Sequence, residues 1–395
     1  MKKCVITAAC RTPVGNFGGA FRDMTATQLG VVAVREVIKR AEIEASQIDE
    51  VVVGCGGMPP KEANVARQIA LFAGLPIETP AFSVQRNCAS GLQAITSSVQ
   101  AIQAGAGDLY LAAGVEQMSG APYLVYGARW GLRLRPTTFD DSIWCGLIDP
   151  FAEMIMGETA ERLAERYNIS RQEQDEWAVL SHKKAFMAQR MGKFKDEIVP
   201  VSVPKKRGEP ELVVNDEGPQ AGLSLERLAL YPTIFREKNG TVTPGNACPM
   251  NDAAGAVIVM SEEKARELGK KPLAYVKSYG FAGVDPKIMG IGPVYSTRIA
   301  LQRAGLELKD IGLIELNEAF AAQYLACQRE LGFNNDIANV NGGGIALGHP
   351  IGATGLRLIN TLTYEMRRRG VKYGLATMCV GGGQGGSVIL ELPEN

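Results

Sequence analysis

Two segments of this chain keep step with each other. Ile43-Glu44 recurs as Leu306-Glu307, 263 residues on, and each apolar residue stands five positions ahead of a second one, Ile48 or Ile311. Each pair lies between a helical stretch and a strand-like stretch. A repeat at constant offset, with the same element order around it, restricts the chain to a duplicated fold. Moving Cys88 by the same offset reaches 351, two residues from His349. A cysteine loop of the first copy then faces a histidine loop of the second across a pseudo-twofold axis, each at a turn from strand into helix.

The hydrophobic pattern fills in the elements. In the first half, residues 4–9, 50–55, 81–84 and 108–115 read as strands, and 25–43 reads as a helix. A second helix follows Gly91, with Leu92, Ile95, Val99 and Ile102 on one face. In the second half, 271–283, 312–316, 338–341, 373–380 and 387–392 read as strands. Residues 296–305, the stretch up to Leu331 and residues 356–369 read as helices, with Gly332 as a stop. This alternation predicts a layered α/β sheet dominated by parallel pairs. The rhythm fails over 119–250. That block holds an aromatic- and Arg-rich stretch at 123–135 and helices at 158–167 and 171–190. Ser170 and Glu173 form a capping box for the second helix, and a hairpin follows with Lys205-Lys206-Arg207 at its tip. We read it as an inserted loop domain. The division is then 1–118, an N-terminal half; 119–250, the loop domain; and 251–395, a C-terminal half whose first part, 251–270, completes the N-terminal half.

Residues 339–355 gather six glycines around one of only two histidines, His349. Glycine lets the backbone approach a ligand closely and adopt angles other residues avoid. A strand, a glycine loop and a helix start aim backbone N–H groups at negative charge, but no lysine follows as a phosphate-binding loop needs. The formal net charge is zero, which argues against nucleic acid or an anionic membrane as the main partner. The eight cysteines form no Cys-x-x-Cys pair, so no metal is expected. The first residues lack a signal-type apolar run, and no stretch is apolar enough to span a membrane. A cytoplasmic location, where thiols stay reduced, is the expectation.

Two of the cysteines stand out. Cys88 precedes a helix start, where free N–H groups and the helix dipole lower a thiol's pKa. Its alternative is a buried structural cysteine, the common fate of a free thiol. Cys379 ends a strand and is followed by three glycines whose N–H groups suit an oxyanion hole. Cys4, Cys10, Cys55 and Cys327 sit in apolar surroundings and read as core. Two thiols and an imidazole at converging turns suggest acyl transfer with carbon–carbon bond chemistry. One thiol carries an acyl group and the other serves as a base.

Asn87-Cys88-Ala89-Ser90-Gly91, Asn317-Glu318-Ala319-Phe320, residues 341–355 and Cys379-Val380-Gly381-Gly382-Gly383-Gln384-Gly385 occur in that order. With Gly245-Asn246-Ala247 and residues 251–254 and 156–161, they make the whole chain similar to the thiolases, the acetyl-CoA C-acyltransferases. The resemblance implies two βαβαβαββ halves in a five-layer α-β-α-β-α core with an inserted loop domain. It implies that Cys88 is the acylated nucleophile, Cys379 the acid/base, and His349 the activator of Cys88 and a stabiliser of the enolate oxygen together with a water held by Asn317. The N–H groups of Cys88 and Gly381 would form a second oxyanion hole. Coenzyme A and acyl-CoA would be substrates, with no permanently bound cofactor, and Phe235, Ala247, Cys248 and Phe320 would lie near the pantetheine arm. A homodimer or homotetramer is implied. Gln85, Ile155, Gln220 and Cys248-Pro249 depart from common family residues and bear on acyl specificity and coenzyme A contacts. A 3-ketoacyl-CoA thiolase for longer chains and a subunit that needs a partner are alternatives. A decarboxylating ketosynthase relative would use two histidines beside its cysteine, and only His349 is placed for that.

Overall fold

In the computed structural model, which describes every residue except 1, 58, 135, 206 and 395, nine strands follow one another across a continuous mixed sheet. They are β1 (Cys4–Arg11), β2 (Glu50–Gly54), β3 (Ala81–Val84), β4 (Leu109–Gln117), β5 (Asn251–Ser261), β6 (Ala274–Gly283), β7 (Leu313–Leu316), β8 (Tyr373–Val380) and β9 (Gln384–Glu391). Their spatial order is β7-β8-β9-β6-β1-β5-β4-β2-β3, and the two-residue strand Gly15–Asn16 pairs beside β5. Only β7–β8, β2–β4 and β2–β3 are parallel. The expectation of a mostly parallel sheet is therefore corrected. A parallel pair needs a crossover connection, whereas β8 and β9 are joined by a tight turn. β1, β5 and β6 also meet antiparallel. β5 was not recognised as a strand from sequence. All eleven of its residues are buried, so it carries no alternation to detect.

The longer helices are α1 (Ala26–Ala41), α2 (Val65–Ala73), α3 (Ser90–Ala104), α4 (Met156–Arg166), α5 (Arg171–Arg190), α6 (Gly292–Ala304), α7 (Ala321–Leu331) and α8 (Ile351–Arg369). Successive strand residues face opposite sides, and β2 makes the layering visible. Val51 and Val53 pack with Val34, Val37 and Ile69 of α1 and α2. Val52 belongs to the same buried cluster as Ile95 of α3, Ile359 of α8 and Ala376 of β8. On the far side, Ala300 of α6 and Ala326 of α7 join Leu375 and Ile389, with Leu163 and Trp177 of the loop-domain helices over them. The layers are thus α-β-α-β-α, with α3 and α8 as the shared middle. No helix among the described residues is long and apolar enough to cross a membrane.

The repeat holds in detail. Short helical turns at Ala45–Gln47 and Leu308–Asp310 are each opened by a capping box, on Glu44 and on Glu307. α1 and α6 both end on a left-handed residue, Glu42 and Gly305. The copies part at 338–341, where a strand was expected. Only Ala338 bridges β7, opposite Ile314. The Asn339 side chain takes the place of the next backbone pair. Its Oδ1 accepts from the Leu316 N–H at 2.9 Å and its Nδ2 donates to the Leu316 carbonyl at 2.8 Å. That exchange frees the chain to turn at once into the glycine loop, with Asn339 itself at φ 43°. α8 also starts at Ile351, five residues before the expected start, because Gly352 and Gly355 serve close packing and blank out the apolar period.

α3 and α8 touch backbone to backbone. A Cβ on Gly355 would lie 2.3 Å from the Leu92 nitrogen, and one on Gly91 would lie 2.8 Å from the Gly352 carbonyl. The loops that lead into these helices carry Cys88 and His349. The loop domain is pinned to the sheet by Arg11, fully buried, whose guanidinium donates to Glu197 at 2.7 Å and to Asp216 at 2.7 and 3.0 Å. Removing one partner of such a buried set typically costs about 3–5 kcal/mol. At the hairpin tip Lys205 pairs with Glu211 at 3.0 Å; Lys206 lies outside the described residues.

Candidate active site

Cys88 stands between β3 and α3, one residue before the Ala89 cap. Asn87 turns the chain with φ 41°. The turn is locked by Ser90, whose hydroxyl donates to the Asn87 carbonyl at 2.7 Å and accepts the Arg86 N–H at 2.9 Å. The Asn87 side chain donates to the Gly381 carbonyl at 2.9 Å, which orients the peptide after β8. The N–H groups of Gly381 and of Cys88 itself approach the Cys88 sulfur and lower its pKa, but burial outweighs them and pushes the thiol up to about 11. Lowering by the helix start, expected from the sequence, is therefore corrected. Two N–H groups do not offset the loss of water around a thiolate.

Cys88 is half-buried and opens into a cavity of about 200 Å³ lined by Gly57, Ala121, Ile143, Gly146, Leu147 and Met156 among others. Glu116 forms part of its floor. This carboxylate accepts from the N–H groups of Gly56 and Gly57, each at 2.9 Å, and of Gly352 at 2.8 Å. It thereby ties the cavity wall to the first turn of α8, three residues past His349. Nothing in its sequence surroundings marked Glu116.

Cys379 is the last residue but one of β8 and is fully buried. Burial raises its pKa well above the ordinary value, and the nearby Cys88, Cys327 and Cys248 thiols add to the effect. Cys88 and Cys379 are thus close enough for the charge of one to oppose that of the other. Cys4, Cys10, Cys55 and Cys327 are buried, as expected.

His349 follows Gly348, which sits at φ 101° and leaves no room for a side chain against Asn251. The His349 N–H donates to Asn251 Oδ1 at 2.9 Å, and Asn251 Nδ2 donates to the Gly15 carbonyl at 3.0 Å. The ring is buried. Nδ1 lies 2.7 Å from Thr354 Oγ1 and 3.3 Å from Asn317 Nδ2, while Nε2 and Asn317 Oδ1 are buried without a partner. Burial first, then the Arg357 charge, lowers the imidazole pKa to about 3. Burial thus favours the uncharged form of both the His349 ring and the Cys88 thiol. Thr354 was missed in the sequence, although it falls inside the glycine-loop stretch.

The four residues expected near pantetheine form one wall. Ala247 bridges Phe320, the Cys248 N–H donates to the Ala319 carbonyl at 3.0 Å, and the Phe235 ring meets Phe320 edge-on at 6.2 Å. Beside Ala247 is a second cavity of about 280 Å³, lined by His182, Gln220, Leu228 and Tyr231 among others. His182 Nδ1 accepts the Gln220 N–H at 3.3 Å there.

Comparison with known proteins agrees along the chain's length. The family model for the thiolase N-terminal domain matches residues 4–263, and that for the thiolase C-terminal domain matches 270–392. An acetyl-CoA acetyltransferase of Syntrophomonas wolfei is 48% identical over 99% of both chains, and one of Pseudomonas aeruginosa is 49% identical over 99% of both. Among solved structures, the Bacillus anthracis acetyl-CoA acetyltransferase superposes with a TM-score of 0.97 at 46% identity, over 100% of this chain and 99% of that one. Human mitochondrial 3-ketoacyl-CoA thiolase in complex with CoA gives 0.96 at 40% identity, over 100% and 98%.

Proposed function

Because the chain belongs to the thiolase family, we propose that it is an acyl-CoA C-acyltransferase that makes and cleaves 3-ketoacyl-CoA through a thioester on Cys88, with acetyl-CoA as its acetyl donor. The observation that carries this reading is the convergence of one half's thiol with the other half's Gly381 N–H and second thiol. The chemistry follows from the protonation states. Cys88 transfers its proton to His349, and the thiolate attacks the thioester carbonyl of acyl-CoA. The departing coenzyme A sulfur takes that proton back. Acylation leaves Cys88 unable to form a thiolate beside Cys379, which then gives its own proton to His349 Nε2 and becomes the base. Cys379 then takes a proton from the methyl of acetyl-CoA, the resulting enolate carbon attacks the acyl carbon and breaks its bond to sulfur, and the released Cys88 thiolate takes the proton held on His349 Nε2. The N–H groups of Cys88 and Gly381 hold the oxyanion at the acylated cysteine. The Nε2–H of the protonated His349 ring and a water held by Asn317 hold the enolate oxygen. Phe235, Ala247, Cys248 and Phe320 flank the pantetheine arm, a reading supported by their shared wall.

The cavity beside Cys88 favours a second reading, a 3-ketoacyl-CoA thiolase for longer chains. About 200 Å³ far exceeds the ~10–15 Å³ that one water-sized group needs, so acetyl alone leaves it mostly empty. Gly146 lines it with a negative φ, and a Cβ there would meet nothing within 4 Å. Thiolysis of acetoacetyl-CoA and of 3-ketooctanoyl-CoA by the purified chain separates the readings. Comparable kcat/KM on both is expected. Gly146→Phe or Ala121→Leu then lowers the value on the longer substrate about tenfold and leaves acetoacetyl-CoA within about threefold. Turnover confined to acetoacetyl-CoA would restrict the enzyme to acetyl transfer.

We infer a homodimer or homotetramer. Tyr126, Trp130, Leu134 and Phe139 are exposed in the stretch that follows β4, and large apolar side chains presented together suit a contact between subunits. We also place the enzyme in the cytoplasm, a location that fits its eight free cysteines. Light scattering and cell fractionation read these two assignments. The division at 118 and 250 is supported by β5, which lies between β1 and β4 and so returns the chain to the first half's sheet.

A further inference from the structure

We propose that Thr354 sets the tautomer of His349: Nδ1 carries the hydrogen and donates it to Thr354 Oγ1, which leaves Nε2 as a bare base for Cys88. The same bookkeeping turns the Asn317 carboxamide so that its oxygen faces Nδ1 and its NH2 occupies the buried position that has no protein partner. The inference rests on Cys88 and His349 acting as nucleophile and base.

Hydrogens decide the matter. A neutral imidazole offers one hydrogen and one lone pair. Two side chains converge on Nδ1, Thr354 Oγ1 at 2.7 Å and the Asn317 carboxamide at 3.3 Å. Thr354 has a single hydroxyl hydrogen and also lies 2.8 Å from the Pro350 carbonyl, which only accepts. With the hydrogen on Nδ1, each atom has a role. Nδ1–H donates to Oγ1, the hydroxyl donates to Pro350, and the Asn317 oxygen accepts at the edge of the same N–H. The two ends of a carboxamide have the same shape, so its orientation follows from its partners. The other tautomer makes Thr354 and Asn317 compete for one lone pair. It also puts a hydrogen on Nε2, which then has no lone pair to receive the Cys88 proton. In the proposed state the S–H bond of Cys88 breaks and its proton goes to Nε2, while the sulfur pair forms the bond to the acyl carbon. The imidazolium keeps its Nδ1–H on Thr354 and returns the Nε2 proton to the coenzyme A sulfur.

The chain has two histidines, so 15N-histidine labelling with His182→Gln for assignment isolates the His349 ring. The expected wild-type spectrum has an unprotonated Nε2 and a protonated Nδ1. Thr354→Val loses that pattern and slows acetylation of Cys88 by acetyl-CoA about 10–100-fold, followed by mass spectrometry on the folded protein; Thr354→Ser restores both. A protonated Nε2 in the neutral wild type, or a folded Thr354→Val that acetylates at the wild-type rate, overturns the proposal. A wild type that never acetylates Cys88 refutes the nucleophile reading instead, and the ring spectrum still decides the tautomer.

Discussion

Cys88→Ala leaves a folded protein that forms no acetyl adduct with acetyl-CoA and loses thiolysis by about 10⁴-fold or more, the scale on which removing a nucleophile acts. The fold tolerates the change because the Cys88 turn is held by Asn87 and Ser90 rather than by the sulfur. Intact-protein mass spectrometry reads the adduct, and one that persists in the variant would place the thioester elsewhere. The wild-type thiol carries a pH signature as well. Burial raises it to about 11, so below that value each unit of pH multiplies the thiolate fraction about tenfold. Alkylation by a neutral reagent such as iodoacetamide should climb through pH 7–10 without a plateau. A plateau near neutrality would mean a resting thiolate–imidazolium pair, at odds with a ring whose pKa is lowered to about 3.

Cys379→Ala has the opposite profile. Acetylation of Cys88 continues, because that step uses only His349 and the backbone donors. Condensation and exchange of the acetyl methyl protons fall about 10²–10⁴-fold, the usual contribution of a positioned acid/base. The alanine leaves a small void in a packed region, costing on the order of 1–2 kcal/mol, so the protein stays folded. Proton exchange into acetyl-CoA by NMR separates the two half-reactions. Unchanged exchange in the variant would remove Cys379 from the carbon–carbon step.

Much of this was legible in the chain because duplication writes the same instructions twice. The offset between Glu44 and Glu307 returned as two capping boxes. The reading of α5 from Ser170 and Glu173 matched its observed span. The misses share a cause: they are positions where tertiary contact replaces local pattern. β5 has no periodicity because both faces are covered. The strand expected at 338 dissolves because an asparagine side chain does the pairing. The Cys88 thiol rises instead of falling because desolvation depends on what surrounds the loop, not on the helix after it. Glu116 and Thr354 were invisible for the same reason. Each matters through backbone groups or a ring that the fold brings to it.

The middle layer has one further implication. α3 belongs to one copy and α8 to the other, and they interlock at glycines too tight to admit a methyl group. β1 and β6 are paired across the seam only at Val5–Tyr275 and Ile6–Ala274. Severed from its counterpart, either copy would present a bare inner surface and an unmatched ridge of backbone. Neither copy is therefore a foldable fragment on its own, and the reactive centre lies on the boundary between them.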